Sequence, residues 1–404
     1  MAAANDRGIT LVEPQAETLS VLLVVPTLDA GASDVGAIDA ARILHTAGHR
    51  AIVASCGGRL ERRLAATGAQ FVRLDAASKN PFVILRNAVT LSRLVREHRC
   101  RVVHAHGRAP AWSAWLAARL TGVPFVTTWY KGFREQNPLK HIYNSIMTRG
   151  DRVIAVSEQI AELIVERHGT PWERIAVVPA GIEFDRFDPR DVTPERIAEI
   201  RRAWGVTADT KVIFVVGRLL RRKGHHVAVR AIRRLMDMGV KDFLCVFAGE
   251  DQGRTRYAGE LWDLVLATGT ADVVRLASPV EDRAAAYAAA NVVVSAAVQP
   301  EGLQRAILEA LAMGRPVVVS DLAAGPEVIL APPAVPEDRM TGLRCRSGDD
   351  AALAAALIRL FSLPETARQA MGARGREWVL THFDTATIAR ETLTIYADLA
   401  RAGR

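Results

Sequence analysis

Along the chain, short continuous apolar runs alternate with longer stretches whose apolar residues recur at helical spacing. In the first half the apolar runs start at Val21 (VLLVVPT), His49, Gln70, Arg101, Pro124, Arg152 and Ile175. Runs of this kind, bounded by glycine, proline and charge, predict strands buried on both faces of a parallel sheet. The helical period occupies residues 37–47, 61–67, 81–97, 111–120 and 158–167. The segment GIEFDRFDPRDVTPE, from Gly181, breaks this rhythm with two prolines and dense charge, and reads as a linker. A second series starts at Lys211, with strands expected over 212–216, 243–248, 273–276, 292–295 and 316–320. It is followed by helices over 351–361, 364–381 and 384–402. Strands alternating with helices predict an α/β architecture of two Rossmann-like domains, each a parallel sheet covered on both sides. The expected divisions are a loosely attached leader over 1–19, domains over 20–185 and 186–382, and a last helix over 383–404. Such sheets bind ligands at the carboxyl ends of their strands, and clefts between domains are common small-molecule sites.

Composition narrows the classes of partner. The 404 residues are half hydrophobic, which suits a buried core. The formal charge of +8 favours an anionic partner: a nucleotide sugar, an anionic lipid or lipopolysaccharide, or a nucleic acid. Low aromatic content and the lack of a nucleic-acid-binding motif put nucleic acid last. The cysteines Cys56, Cys100, Cys245 and Cys345 are scattered, with no CxxC pairing, and read as reduced thiols of a cytoplasmic protein. No metal-type cluster is present, and no stretch reaches the ~20 apolar residues that span a bilayer.

Chemistry is signalled most strongly at QPEGLQRAILEALAMG, Gln299 to Gly314. Leu303, Ile307, Leu308 and Leu311 recur at helical spacing, and two acids, Glu301 and Glu309, flank the first half. If the interval is helical, eight residues rise about 12 Å, comparable to the separation of the two sugars in a nucleotide sugar. The amides of the helix N-terminus between the acids suit a diphosphate. Read alone, the pair also fits a surface acid and a dipole-matching one. The second stretch is VVGRLLRRKGHHVAV, from Val215. Arg218 at a strand end and Lys223 five residues on can converge on a diphosphate and stabilise its developing charge. Arg221, Arg222, His225 and His226 are expected to face solvent. In the first half, the pair His104 and His106 ends a strand, with Arg108 beside it, and Asp29 and Asp34 lie on the first loop. Of these, His106, Arg108 and Asp34 are acceptor-side candidates, although loop acids are more often caps.

The order and spacing of GRLLRRKG, AGEDQGR, EGLQRAILE and RPVVVSD…GPEVI resemble the family 4 retaining glycosyltransferases of the GT-B fold. In the first half, LDAGASD, GHRAIVAS, HAHGRAPAWSAWLAARLTG and VVPAGIEFDRFDP resemble the branch that builds the lipopolysaccharide core in alphaproteobacteria. The resemblance implies that Arg218 and Lys223 hold the donor diphosphate, Glu309 the ribose, and Glu301 the transferred sugar and its oxocarbenium-like transition state. It puts Gly31, Leu303, Gln304, Arg305 and Tyr130 on the donor as well. It further implies a last helix that returns to the first domain, no metal, no cofactor beyond the nucleotide-sugar co-substrate, and retention by front-face attack. The donor would be a nucleotide diphosphate hexose such as GDP-mannose or UDP-glucose, and the acceptor a glycolipid or lipopolysaccharide.

Three positions depart from the family pattern. Ala32 stands where a second glycine is usual, Tyr130 and Lys131 where a His-Gly is frequent, and Gln304 where a glycine precedes Arg305. They motivate an alternative, a degraded homologue acting as a scaffold; a nucleotide-sugar epimerase of the same fold is another. A basic region includes Arg59, Arg62, Arg63, Lys79, Arg86, Arg93, Arg96, Lys131, Arg134 and Lys140, and its later part is interleaved with Trp129, Tyr130, Phe133 and Tyr143. It suggests peripheral attachment to an anionic membrane surface at the inner face of the cytoplasmic membrane.

Overall fold

The computed structural model describes residues 18–29, 31–132, 138–179, 181, 184–207, 209–249, 255–277, 280–299, 303–322 and 325–402. The chain divides into two compact units, one of Met1–Gly181 with Thr385–Arg404, the other of Ile182–Asp384. Each contains one sheet, and all strand pairings in both are parallel.

The first unit holds β1 (Ser20–Val24), β2 (Arg50–Ser55), β3 (Gln70–Arg73), β4 (Val102–Ala105), β5 (Phe125–Trp129), β6 (Arg152–Ala155) and β7 (Ile175–Val177), in the order β3-β2-β1-β4-β5-β6-β7. Successive side chains of a strand point to opposite faces, and β1 serves two apolar clusters in this way. Leu22 and Val24 join Leu91, Ala114 and Ile160 in one cluster. Val21 and Leu23 join Ile38, Leu44, Ile388 and Tyr396 in the other. The second cluster includes the helix Thr385–Ala402, so residues from the end of the chain complete the core begun by the first strand.

The second unit holds β8 (Lys211–Val216), β9 (Phe243–Ala248), β10 (Val274–Ala277), β11 (Val292–Ser295), β12 (Val317–Ser320) and β13 (Leu343–Cys345), in the order β10-β9-β8-β11-β12-β13. Val212 and Phe214 of β8 face one cluster, and Ile213 and Val215 the other. Among the described residues, no helix is long and apolar enough to cross a membrane.

Several elements go beyond the sequence pattern, among them the helix Pro138–Ser145 and the three that follow. The edge strand β13 spans three residues around a polar Arg344, too short for a periodic signal. The helix Pro194–Trp204 lies in the stretch between the two predicted series; Thr193 caps it and it buries only Trp204. The helix Ala32–Thr46 starts five residues before the expected 37, because Gly31 serves as its N-cap and the Asp34 carboxylate accepts from the Gly31 amide at 3.0 Å.

Polar groups inside the first unit are joined end to end. His104 is buried, with Nδ1 2.7 Å from the Tyr396 hydroxyl and Nε2 2.7 Å from the Thr128 hydroxyl. Its ring lies 4.0 Å from that of His106. Removing one partner of a buried pair leaves the other unsatisfied. Tyr396→Phe is therefore expected to lower the stability of this unit by about 1–3 kcal/mol. Urea unfolding read by a probe within the unit measures this.

Candidate functional site

In the second unit the carboxyl ends of three strands meet. Gly217 follows β8 and its amide donates to the Ala248 carbonyl at 3.1 Å. Gly249 follows β9, and a Cβ there would fall 1.8 Å from the Gly217 carbonyl oxygen, so only glycine permits this approach. The turn Arg221–Lys223 ends at Gly224, with φ +72°, where a Cβ would fall 1.7 Å from the Ala296 carbonyl oxygen just past β11. The Val298 amide donates to the Arg222 carbonyl at 2.9 Å and pins the same turn to the same segment. The Lys223 stem folds back over Gly217, its Cδ and Cε each 3.6 Å from where a Cβ would stand. Ser295, the last residue of β11, hydrogen-bonds the Gln304 side chain, and Gln304 is the N-cap of the helix Arg305–Ala312. Glycine backbone, the Lys223 cation, the adjacent Arg218 and a helix N-terminus thus share one end of the sheet. This combination accommodates a phosphorylated anion.

Glu309 lies one turn into that helix and is 4% exposed. The Tyr287 hydroxyl donates to Oε2 at 2.8 Å, and the Arg283 guanidinium donates to Oε1. Burial pushes the carboxyl pKa up, while Arg283 and Tyr287 pull it down. A carboxylate oxygen has two acceptor sites, so each oxygen can accept one more hydrogen bond. Arg283 is itself held over the Phe187 ring, 5.5 Å from its centroid. Neither Arg283 nor Tyr287 is legible as a site residue in the sequence: EDRAAAYAAAN reads as an alanine-rich helix, 26 residues from Glu309 in the case of Arg283.

Glu301 lies outside the described residues, as does Gly302. The helix starts at Arg305, so Leu303 and Gln304 precede it and the interval from Glu301 to Glu309 is not one continuous helix. The 12 Å helical rise expected between the two acids therefore does not apply. Leu303 packs half-buried against the core. Arg305 is the first helical residue and is half-buried. His225 corrects an expectation. It is fully buried beside the Phe247 ring, and burial lowers its pKa from 6.5 to about 4. His226 is half-buried, 3.3 Å from the Tyr257 hydroxyl, and Arg221 is exposed and paired with Glu260.

The remaining candidates belong to the first unit. Asp34 is buried, and its Oδ2 accepts from the Thr27 hydroxyl at 3.1 Å and from the Asp29 and Gly31 amides at 3.0 Å. Ser33 donates to Oδ1 at 3.0 Å. Asp34 shapes the first loop, as a cap does, rather than presenting an open carboxylate. His106 is buried, its Nδ1 2.6 Å from the Tyr130 hydroxyl, and burial lowers its pKa to about 3. The Tyr130 hydroxyl also closes on Gly36, where a Cβ would lie 2.1 Å away. Tyr130 is thus placed by a strand-end histidine and a helical glycine. Arg108 opens the helix Arg108–Thr121 and donates to the Asn144 side chain at 2.7 Å. Trp129 is buried, with Nε1 donating to the Met147 carbonyl, so it is not part of a surface aromatic patch. Phe133 and Arg134 lie outside the described residues.

Comparison with known proteins gives the family of the chain. Residues 34–186 match the model of Glycosyltransferase Family 4, and residues 210–362 that of Glycosyl transferases group 1. The D-inositol 3-phosphate glycosyltransferase of Xylanimonas cellulosilytica is 30% identical over 317 residues, covering 74% of this chain and 72% of that protein. The chain belongs to glycosyltransferase family 4. The enzyme of the same name from Actinosynnema mirum is 30% identical over 300 residues, covering 69% of each chain. Among solved structures, a glycosyltransferase from Rickettsia africae matches this family 4 chain with a TM-score of 0.84 at 28% identity, covering 95% of this chain and 98% of that one. HepE of Anabaena, solved with UDP and glucose, matches with a TM-score of 0.80 at 18% identity, over 94% and 100%. The two parallel sheets are those of the GT-B fold.

Two outcomes follow. Gly224→Ala sets a methyl against a carbonyl at a left-handed position, and is expected to cost about 2–4 kcal/mol and to abolish donor-dependent stabilisation; thermal melting with and without nucleotide measures both. The buried histidines make stability depend on pH. Their folded pKa values are depressed, so the unfolded chain takes up protons first as pH falls. Their contribution is complete above pH 6.5 and is lost from 6.5 down towards 4 for His225. Each contributes a slope of up to about 1.4 kcal/mol per pH unit, and His225→Asn should flatten the melting-temperature profile in that window.

Proposed function

We propose that this family 4 chain is a retaining, metal-independent hexosyltransferase, using a nucleotide diphosphate hexose such as UDP-glucose or GDP-mannose. The observation that carries the reading is the buried Glu309 carboxylate, fixed by Arg283 and Tyr287 with acceptor capacity to spare. A vicinal diol such as a ribose offers two donors to such a group. At the carboxyl end of the same sheet, Lys223, Arg218 and the N-terminus of the helix Arg305–Ala312 supply positive potential for the diphosphate. In this reading those groups take the electrostatic role of a metal as the sugar–phosphate bond breaks. Glu301 supports the developing oxocarbenium charge, and the leaving phosphate takes the acceptor proton. Gly31, Leu303, Gln304, Arg305 and Tyr130 complete the donor side. His106 and Arg108 serve the acceptor side, with Asp34 acting through the loop it organises.

The acceptor in this reading is the lipopolysaccharide core or another cell-surface glycan, met at the inner face of the cytoplasmic membrane. The net charge of +8 suits a phosphorylated glycolipid. A second reading, a phosphorylated cyclitol acceptor, is favoured by the relatives named D-inositol 3-phosphate glycosyltransferase.

Glu309→Gln keeps the shape and removes the charge. It is expected to weaken donor binding about 10- to 100-fold, the worth of a charged hydrogen bond. Thermal shift with UDP-glucose and GDP-mannose, on wild type and variant, reads this directly. Transfer assays with lipopolysaccharide core and with inositol 3-phosphate then separate the acceptors, and NMR of the product gives the anomeric configuration. Absence of any donor-induced shift in the wild type would sink the enzymatic reading, and an inverted anomer would sink retention.

A further inference from the structure

The helix Pro81–Glu97 presents an outer face unlike an ordinary solvated surface. Asn80 caps it, accepting from the Phe82 amide at 3.0 Å, and Leu91 and Val95 face inward to the core. Outward it exposes Phe82 at 82%, Leu85 at 56% and Val89 at 48%. Spaced three and seven apart, these three share one side of the helix. Arg86, Arg93 and Arg96 are exposed on the same side, and the helix carries no acid before its last residue, Glu97. The face continues onto the neighbouring helix: the Arg96 guanidinium donates to the Leu120 carbonyl at 3.4 Å, and the Leu120 side chain is 59% exposed.

Large apolar side chains left in water mark a contact site, and the charge pattern selects the occupant. A second copy of this chain, meeting the face through a two-fold axis, would set arginine against arginine with only the terminal Glu97 of the helix to answer. An anionic lipid surface answers both features: apolar side chains enter the boundary between headgroups and acyl chains, and the guanidinium groups pair with phosphates in the same plane. We propose that Phe82, Leu85 and Val89 insert into anionic lipid, with Arg86, Arg93 and Arg96 holding the headgroups. This deepens the membrane part of the proposed function and does not depend on the transfer chemistry. It also relocates the contact: the sequence pattern pointed to aromatics around residues 129–143, whereas Trp129 is buried and the exposed apolar side chains lie on this helix.

The test is co-sedimentation of the full chain with phosphatidylcholine vesicles, with and without phosphatidylglycerol. The wild type is expected to bind only the phosphatidylglycerol vesicles, less well as salt rises. The triple variant Phe82→Ser, Leu85→Ser, Val89→Ser should bind about 30-fold more weakly. The variant Arg86→Gln, Arg93→Gln, Arg96→Gln should lose the preference for phosphatidylglycerol. Because all six side chains are exposed, unchanged melting curves and donor-induced shifts identify a surface effect. If the wild type ignores anionic vesicles, both this proposal and the membrane reading fail. If the wild type binds and both variants bind equally well, this surface is wrong while membrane attachment stands. Self-association of the wild type that disappears in the serine variant, seen by analytical ultracentrifugation, would assign the face to a second copy and overturn the proposal.

Discussion

Backbone meeting backbone is the constraint on which the second unit's candidate site depends. At the ends of β8 and β9, Gly249 approaches the Gly217 carbonyl so closely that no side chain fits, and Gly224 does the same against Ala296 beyond β11. These contacts leave the turn Arg221–Lys223 no freedom to lift away, because the Val298 amide holds it from the other side. The turn carries the Lys223 stem back over the strand end at Gly217. A flexible lysine thereby acquires a defined position at the strand end, where its positive charge can meet an anion.

Glu309 follows a different logic. A carboxylate removed from water is costly unless it is answered, and here a guanidinium and a phenol answer it. Tyr287 is fully buried, and Arg283 rests on Phe187. The rigidity of the acid is inherited from aromatic packing in the core cluster around Phe187, Phe214 and Tyr287. Site candidate and core residue are here one continuous structure, so a change in the packing of Tyr287 reaches the Glu309 carboxylate directly.

The architecture was legible because it is written in periodicity. Continuous apolar runs became buried parallel strands, and the helix over 81–97 has the bounds the pattern implies. Short or polar elements escaped: β13 has three residues, and Pro194–Trp204 carries one buried side chain. For the site, motif spacing brought out Arg218, Lys223 and Glu309, whose neighbours in sequence are distinctive. It missed Arg283 and Tyr287, which look like ordinary helix residues until the fold carries them to Glu309. It also misjudged His225, since a histidine after a glycine turn looks exposed and only the tertiary packing buries it. Asp34 shows a further limit: a loop acid reads alike whether it faces a ligand or accepts from its own loop, and three-dimensional hydrogen bonding decides.

The path of the chain also sets an order of assembly. The first unit is left at Gly181 and completed only by Thr385 onward, and Tyr396 supplies both apolar surface and the hydroxyl that satisfies His104. A nascent chain therefore carries an unfinished first unit, with one face of its sheet only partly covered and His104 without its Tyr396 partner, for the whole time that residues 182–384 are being made. The intervening unit has no such debt and can close on its own residues first. Completion of the amino-terminal half therefore waits for translation of the carboxyl-terminal helix, and a chain that stops short of it leaves exposed the apolar surface that Ile388, Tyr396 and Ala400 would cover.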